Sequence, residues 1–110
     1  MIEQIAKTVH AVHLAYCKEV GETTQPSWDK VSNEHKDVVR NSIIQIINGT
    51  VKSSEDSHSI FFQSKLIQGW VYGEYSIELK QNPRLVLFEE LKITDRMKEI
   101  LFFETVKSFM

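Results

Sequence analysis

The spacing of apolar residues is the feature that most constrains the fold of this chain. Over several stretches they recur at steps of three and four residues, and a glycine closes three of these stretches, at Gly21, Gly49 and Gly69. Such steps place apolar side chains on one face of an α-helix. Glycine readily adopts the left-handed conformation that often follows a helix. The pattern therefore predicts amphipathic helices with marked ends.

Four stretches carry this helical pattern. Ser32 and Ser54 are predicted to cap the second and third helices, because a serine oxygen accepts a hydrogen bond from an N–H group of the first turn. Acidic residues follow both serines, where they suit the positive end of a helix. The predicted helices cover residues 2–20, 32–48, 54–68 and, from a start near Thr94, most of the remaining chain.

Residues 70–92 lack the helical pattern. Gly73 and Pro83 interrupt this stretch, and the residue before a proline is biased away from the helical conformation. We therefore expect a long ordered loop, with a short extended piece at 70–72 or a small hairpin. The predicted fold class is mainly α with a small β element, in a single domain of about four helices over residues 1–110. A long ordered loop in so small a domain is typical of a functional segment.

Charge and targeting signals limit the partners. The 110 residues include 13 basic and 15 acidic side chains, so the net charge of −2 argues against a broad surface for a nucleic-acid polymer. The N-terminus does not have the pattern of a signal peptide, and the longest apolar runs, 85–88 and 100–103, are far shorter than the ~20 residues that span a membrane. A single cysteine, Cys17, fits a reducing compartment. We expect a cytoplasmic protein with no membrane partner.

The sequence contains no strong catalytic or metal-binding motif. The phosphate-loop, HExxH, GxSxG and paired CxxC patterns are all missing. His10, His13 and Cys17 approach one face of the first helix and are zinc-ligand types, but no second cluster supplies a fourth ligand. Cys17 as a nucleophile also lacks an obvious oxyanion donor. We therefore predict no enzyme activity, no catalytic residues, no metal and no cofactor.

Two interpretations of the aromatic residues stay open. They either fill the core between helices, as we expect for Trp70, or present flat faces to a ligand beside a cation. Phe61 and Lys65 lie four residues apart in the predicted third helix and so share a face, with His58 one turn earlier. A wall of this composition suits a base together with a phosphate.

Two motifs in the second half of the chain occur in a characteristic order. Gly-Trp-x-Tyr-Gly stands at 69–73 and Asn-Pro-x-Leu-Val at 82–86, preceded by His58, Phe61 and Lys65. Together they resemble the ryanodine receptor repeat, or RyR domain, and the front half resembles the helical lead-in of the small stand-alone RyR-domain proteins of bacteria and phages. The resemblance divides the chain into a lead-in, 1–49, and a core repeat motif, 50–110.

The resemblance implies a mostly helical, non-catalytic module that binds a nucleotide-derived small molecule. The implied ligand-binding residues are His58, Phe61, Lys65, Trp70 and Tyr72. The base would stack on Phe61 or Trp70, Lys65 and His58 would contact phosphate or ribose, and Tyr72 would line the site. The alternative is a protein-interaction or homodimerisation module with no small ligand, since the repeats of the calcium channels occur in pairs.

Several positions depart from the family pattern. Phe61 stands where the family has Trp, and Asn82 stands where it has His. The basic–acidic pair that follows Gly-Trp-x-Tyr-Gly in the family is missing from residues 74–77. Because the basic residue of that pair is a natural phosphate partner, the departures indicate a different ligand or none.

Overall fold

The computed structural model describes residues 1–23 and 25–110. It confirms the mainly α prediction. Short 3₁₀ turns at Trp28–Lys30 and Phe88–Glu90 precede the second and last helices. The four α-helices are α1 (Ile2–Glu19), α2 (Asn33–Ile47), α3 (Ser54–Ile67) and α4 (Ile93–Lys107).

Local signals set the ends of the helices. Ser32 caps α2 as predicted, with its Oγ accepting from the His35 N–H at 3.1 Å. The cap of α3 is Ser53 rather than the predicted Ser54, since Ser53 Oγ accepts from the Asp56 N–H at 3.0 Å. The Asp56 carboxylate in turn accepts from the Lys52 N–H at 3.0 Å, which fixes the start of the helix one residue earlier.

The end of α3 has a Schellman motif that positions Trp70. Gly69 has a φ of 90°, a left-handed conformation that suits glycine. The Trp70 N–H donates to the Lys65 carbonyl at 2.9 Å, and the Gly69 N–H donates to the Leu66 carbonyl at 3.0 Å. The chain therefore turns back on α3 at once, and Trp70 lies beside the last turn of that helix.

The loop after Trp70 is ordered by single backbone bridges rather than by a regular hairpin in the described residues. Val71 pairs with Gln81 in a parallel sense, and Ser76 pairs with Gln81 in an antiparallel sense. Lys80 has a φ of 51°, and its Nζ donates to the Gln68 carbonyl at 2.9 Å. The predicted small β element is thus confined to these bridges.

The main core lies between α1, α2 and α4. α1 contributes Ile5, Ala6 and Val9, which pack with Ile43 and Ile46 of α2. Phe103 and Val106 of α4, together with Trp28, Val31 and Val51, complete this cluster. Of the side chains of α3, His58 is the one that is buried.

The apolar face predicted for α3 is not buried. Ile60 and Leu66 are both exposed, and Phe61 is half-buried. The reason is that α3 packs on α4 and on the turn at Phe88–Glu90, but hardly on α1 and α2. None of the helices that the structure describes has the length and apolar character needed to span a membrane.

Candidate functional site

A groove runs between α2 and α3. Both helices pack on α4, but they make few contacts with each other, which leaves a cavity of about 570 Å³. We call it the α2–α3 groove. One face of α3 forms a wall, with residues spaced at three and four positions: Ser57, Ile60, Phe61, Ser64, Lys65 and Gln68.

The opposite wall and the floor are mixed in character. α2 contributes His35, Val38 and Val39 together with the polar Ser42 and Gln45. The floor comes from α1 and α4 and includes Val9, His13, Tyr16, Lys98, Leu101 and Phe102. Apolar atoms make up most of the groove surface, and polar side chains from all four helices are placed around it.

Two cations, each over an aromatic ring, lie on the α3 side of the groove. The Lys65 Nζ is 4.9 Å from the centroid of the Trp70 ring, and the Arg84 guanidinium carbon is 4.9 Å from the centroid of the Phe61 ring. An aromatic face attracts a cation and limits its movement. Both side chains also line the groove, so positive charge is held at its wall.

The two cations differ in their partners. None of the ion pairs formed by the described residues involves Lys65. Arg84 donates from its Nη2 to the Glu99 carboxylate, which is itself largely buried. Arg84 thus keeps N–H groups on its terminal nitrogens for a further acceptor, although its Nε is buried without a partner, and the Lys65 ammonium has no carboxylate partner among the described residues.

A turn brings Arg84 to this position. The Asn82 side-chain oxygen accepts from the Arg84 N–H at 2.9 Å, and the Leu85 N–H donates to the Asn82 carbonyl at 3.2 Å. Asparagine followed by proline favours such a turn. The sequence contained this signal, but the motif indicates only a turn and not that its third residue reaches back to Phe61.

His58 lies behind the groove wall rather than on it. Its side chain is 1% exposed, and its Nε2–H donates to the Val86 carbonyl at 2.7 Å. Its Nδ1 is 3.7 Å from Glu99 Oε1, and the ring packs among Phe61, Phe62 and Phe88. His58 is therefore not among the residues that line the groove, whereas the sequence predicted that it contacts phosphate or ribose.

The surroundings of His58 shift its protonation. Burial lowers the pKa of His58, but the Glu99 carboxylate and the Val86 carbonyl outweigh it, so the pKa lies above its ordinary value. The ring donates to the Val86 carbonyl, whereas the 3.7 Å between Nδ1 and Glu99 is an ion-pair distance and leaves Nδ1 buried without a hydrogen bond. His58, Glu99 and Arg84 therefore form a charged cluster that ties α3 to α4 and to the loop at 84–88.

Trp70 and Tyr72 lie outside the described lining of the groove. Trp70 is half-buried rather than sealed in the core, and its ring is 6.4 Å from the Tyr75 ring. Tyr72 is exposed to solvent. Of the five predicted ligand-binding residues, the groove therefore brings together Phe61 and Lys65.

Histidines line another part of the groove. One of them is His35, and no pattern in the sequence predicts that it lies there. Burial lowers the pKa of His13, with a contribution from Lys98, and burial together with His10 lowers the pKa of His35. The His10 Nε2–H donates to the Pro26 carbonyl at 2.7 Å. His13 Nε2 is 3.6 Å from the sulfur of Cys17.

The other charged groups near these histidines are already paired. Lys98 forms ion pairs with Glu22 and Asp95. Within residues 1–23 and 25–110, no three His, Cys, Asp or Glu side chains are placed so that they could hold a metal ion. Lys65 and Arg84 are therefore the groups best placed to attract an anion into the groove.

No protein-family model matches the chain, and a search of curated proteins finds no match. The resemblance to the ryanodine receptor repeat stays a prediction from the sequence motifs. The geometry of the α2–α3 groove carries the argument for function.

Proposed function

We propose that this chain is a non-catalytic binding module for a small anionic molecule with a flat ring, the chemistry of a nucleotide-derived ligand. The ligand would occupy the α2–α3 groove. Its volume of about 570 Å³ suits a ligand of this size, since small-molecule sites measure roughly 300–1,000 Å³. The proposal includes a cytoplasmic setting and membership of the stand-alone RyR-domain type.

The observation that carries the proposal is the pair of cations that line the α3 side of the groove, each over an aromatic ring. Lys65 and Arg84 each rest on an aromatic ring at 4.9 Å, so less side-chain freedom is lost when an anion binds. A phosphate can accept from the Lys65 ammonium and from the free N–H groups of the Arg84 guanidinium. Hydrogen bonds between charged groups of this kind are about twice as strong as neutral ones.

The flat part of the ligand needs a different position from the one that the sequence suggested. Arg84 covers one face of Phe61, and Lys65 lies over the Trp70 ring. The ring of the ligand would instead pack between Ile60 and Val38, two exposed apolar side chains that line the groove on opposite walls. This arrangement leaves the phosphate beside the two cations.

The state of the carboxylate in the groove supports binding without catalysis. Among the described lining residues Glu99 is the one carboxylate, and it is engaged by Arg84 and lies near His58. A general base must reach the proton that it abstracts. A carboxylate committed to a guanidinium is poorly placed for that role.

A nucleotide panel tests the proposal. Thermal unfolding is measured with mono-, di- and cyclic nucleotides up to millimolar concentration, and we expect at least one to raise the melting temperature. Lys65→Ala should lower the affinity for that nucleotide at least about tenfold, since it removes a charged contact. Lys52→Ala, an exposed lysine outside the described groove lining, is the matched control and should bind like the parent chain.

Two results would contradict the proposal. If no nucleotide raises the melting temperature, the proposal of a nucleotide-derived ligand is wrong. If the Lys65→Ala and parent chains bind the nucleotide with equal affinity, Lys65 does not contact the phosphate.

A second candidate function is a protein-interaction module. It is favoured by the concentration of exposed apolar side chains between the end of α3 and Leu79. This surface is separate from the α2–α3 groove, so the two functions are compatible.

A further inference from the structure

A surface of large apolar side chains begins at the end of α3 and continues along the following loop. Seven such side chains within residues 66–79 are between 48% and 87% exposed. They are Leu66, Ile67, Val71, Tyr72, Tyr75, Ile77 and Leu79. We call this the 66–79 surface, and the described lining of the α2–α3 groove includes none of its members.

The backbone beneath this surface is held in place. The Val71 N–H donates to the Lys80 carbonyl at 2.9 Å, and Ser76 and Gln81 exchange two backbone hydrogen bonds at 3.0 and 2.9 Å. The Leu79 N–H donates to Ser76 Oγ at 3.1 Å. The apolar side chains are thus presented on a formed scaffold, so little ordering would be needed when a partner binds.

The size of the surface matches what a stable interface needs. An aromatic side chain can bury roughly 150–250 Å², and six of the seven residues are at least half exposed. Together they present several hundred Å², on the order of the ~800 Å² that each partner buries in a standard interface. Exposed apolar patches of this order are often interaction sites.

The charges on this surface favour a second copy of the same chain. Glu74 and Glu78 are exposed within it, and Lys80 lies at its end. In a two-fold pair the same surface faces itself, so acidic groups on it need basic groups on the same surface as partners. This surface has no large excess of one charge that would attract a strongly acidic or basic partner. The net charge of −2 adds little repulsion between copies.

We propose that two copies of this chain pair through the 66–79 surface about a two-fold axis. This pairing rests on the second candidate function and does not depend on a ligand in the groove. Apolar contacts from Ile77, Leu79 and Tyr72 would provide most of the association energy. Glu74 and Glu78 of one copy would lie near Lys80 of the other.

Sedimentation of the full chain from micromolar to several hundred micromolar tests the pairing. We expect a species of twice the monomer mass. Ile77→Glu and Leu79→Glu, made separately, should each raise the dimer dissociation constant at least about tenfold, because each places a charge in an apolar contact. Ile93→Glu is the matched control, since Ile93 is 69% exposed at the start of α4, outside this surface.

Circular dichroism and melting temperature first establish that each variant is folded. A chain that stays monomeric at every concentration overturns the pairing, and so does a monomer that binds phosphatidylcholine vesicles through the same side chains. A dimer that neither variant weakens overturns the assignment to this surface. Nucleotide binding is measured in parallel, so failure of the groove proposal is recognised separately from failure of the pairing.

Discussion

At the scale of single residues, His58 shows how a buried polar side chain can hold one element of a small fold in place. It is the buried side chain of α3, and its two ring nitrogens face the Val86 carbonyl and the Glu99 carboxylate. A buried polar group is costly unless it is hydrogen-bonded. The contacts of His58 therefore join α3 to α4 and to the loop that carries Arg84.

The protonation of His58 should make part of the stability depend on pH. Its pKa in the folded chain lies above the ordinary value of 6.5, because the Glu99 and Val86 contacts outweigh burial and the Arg84 charge. Its contribution to the free energy of unfolding is therefore full below about pH 6.5 and is lost as the pH rises through the folded pKa. His13 and His35, whose pKa values are lowered, contribute in the opposite direction.

A comparison with His58→Gln isolates this contribution. Urea unfolding of the parent and variant chains at pH 5.5, 7 and 8 gives the difference in unfolding free energy at each pH. We expect that difference to be largest at pH 5.5 and to shrink toward pH 8, since His13 and His35 are common to both chains. A difference that stays constant or grows with pH would show that His58 does not bind its proton more tightly in the folded state.

At the scale of elements, the helices follow from signals that lie close together in the sequence. Apolar spacing, a serine before the first turn and a glycine after the last turn predict α1, α2 and α3 within about one residue of their ends, the usual margin for helix boundaries. The predicted cap, Ser54, is wrong because the neighbouring Ser53 is equally able to cap. The decision depends on Asp56, whose carboxylate reaches back to the Lys52 N–H.

The cap of α3 gives a direct test at this scale. Ser53→Ala removes the acceptor of the Asp56 N–H and should lower the free energy of unfolding by about 1 kcal/mol, the usual cost of a lost N-cap. Ser54→Ala, one residue later, should change it by less than about 0.5 kcal/mol. Urea unfolding of the two variants checks this order, and a larger loss for Ser54→Ala would place the cap where the sequence first suggested it.

The site could be predicted only in part, and the reason lies in how α3 is oriented. The spacing of Phe61 and Lys65 indicates that they share a face, and both line the groove. His58 lies about a quarter turn from the centre of that face, given 3.6 residues per turn, and it points toward α4 instead. Spacing shows which residues share a face, but not which face the other helices leave open.

Arg84 and His35 could not be assigned to the groove from the sequence, because their positions depend on contacts across long stretches of chain. Arg84 meets Phe61 only because the turn at 82–85 folds back toward α3. His35 borders the groove only because α2 and α3 remain apart. No local pattern of residue types in the sequence predicts either of these contacts.

At the scale of the whole molecule, the fold separates a core of three helices from a fourth helix that packs mainly on one of them. α1, α2 and α4 enclose the main apolar cluster. Among these three helices, α3 packs mainly on α4. This arrangement leaves the α2–α3 groove on one side of α3 and the 66–79 surface at its end. A ligand in the groove would bridge α2 and α3 and stabilise the folded chain by mass action.

The most direct test of the central claim compares a nucleotide with its own nucleoside. Calorimetric titration is carried out on the parent chain and on a chain with both Lys65→Ala and Arg84→Gln, after its melting temperature shows that it is folded. We predict that the parent chain prefers the phosphate-bearing form at least about tenfold and that the double variant loses this preference while still binding the nucleoside. Equal affinity of the parent chain for nucleotide and nucleoside would contradict a groove in which Lys65 and Arg84 receive the phosphate.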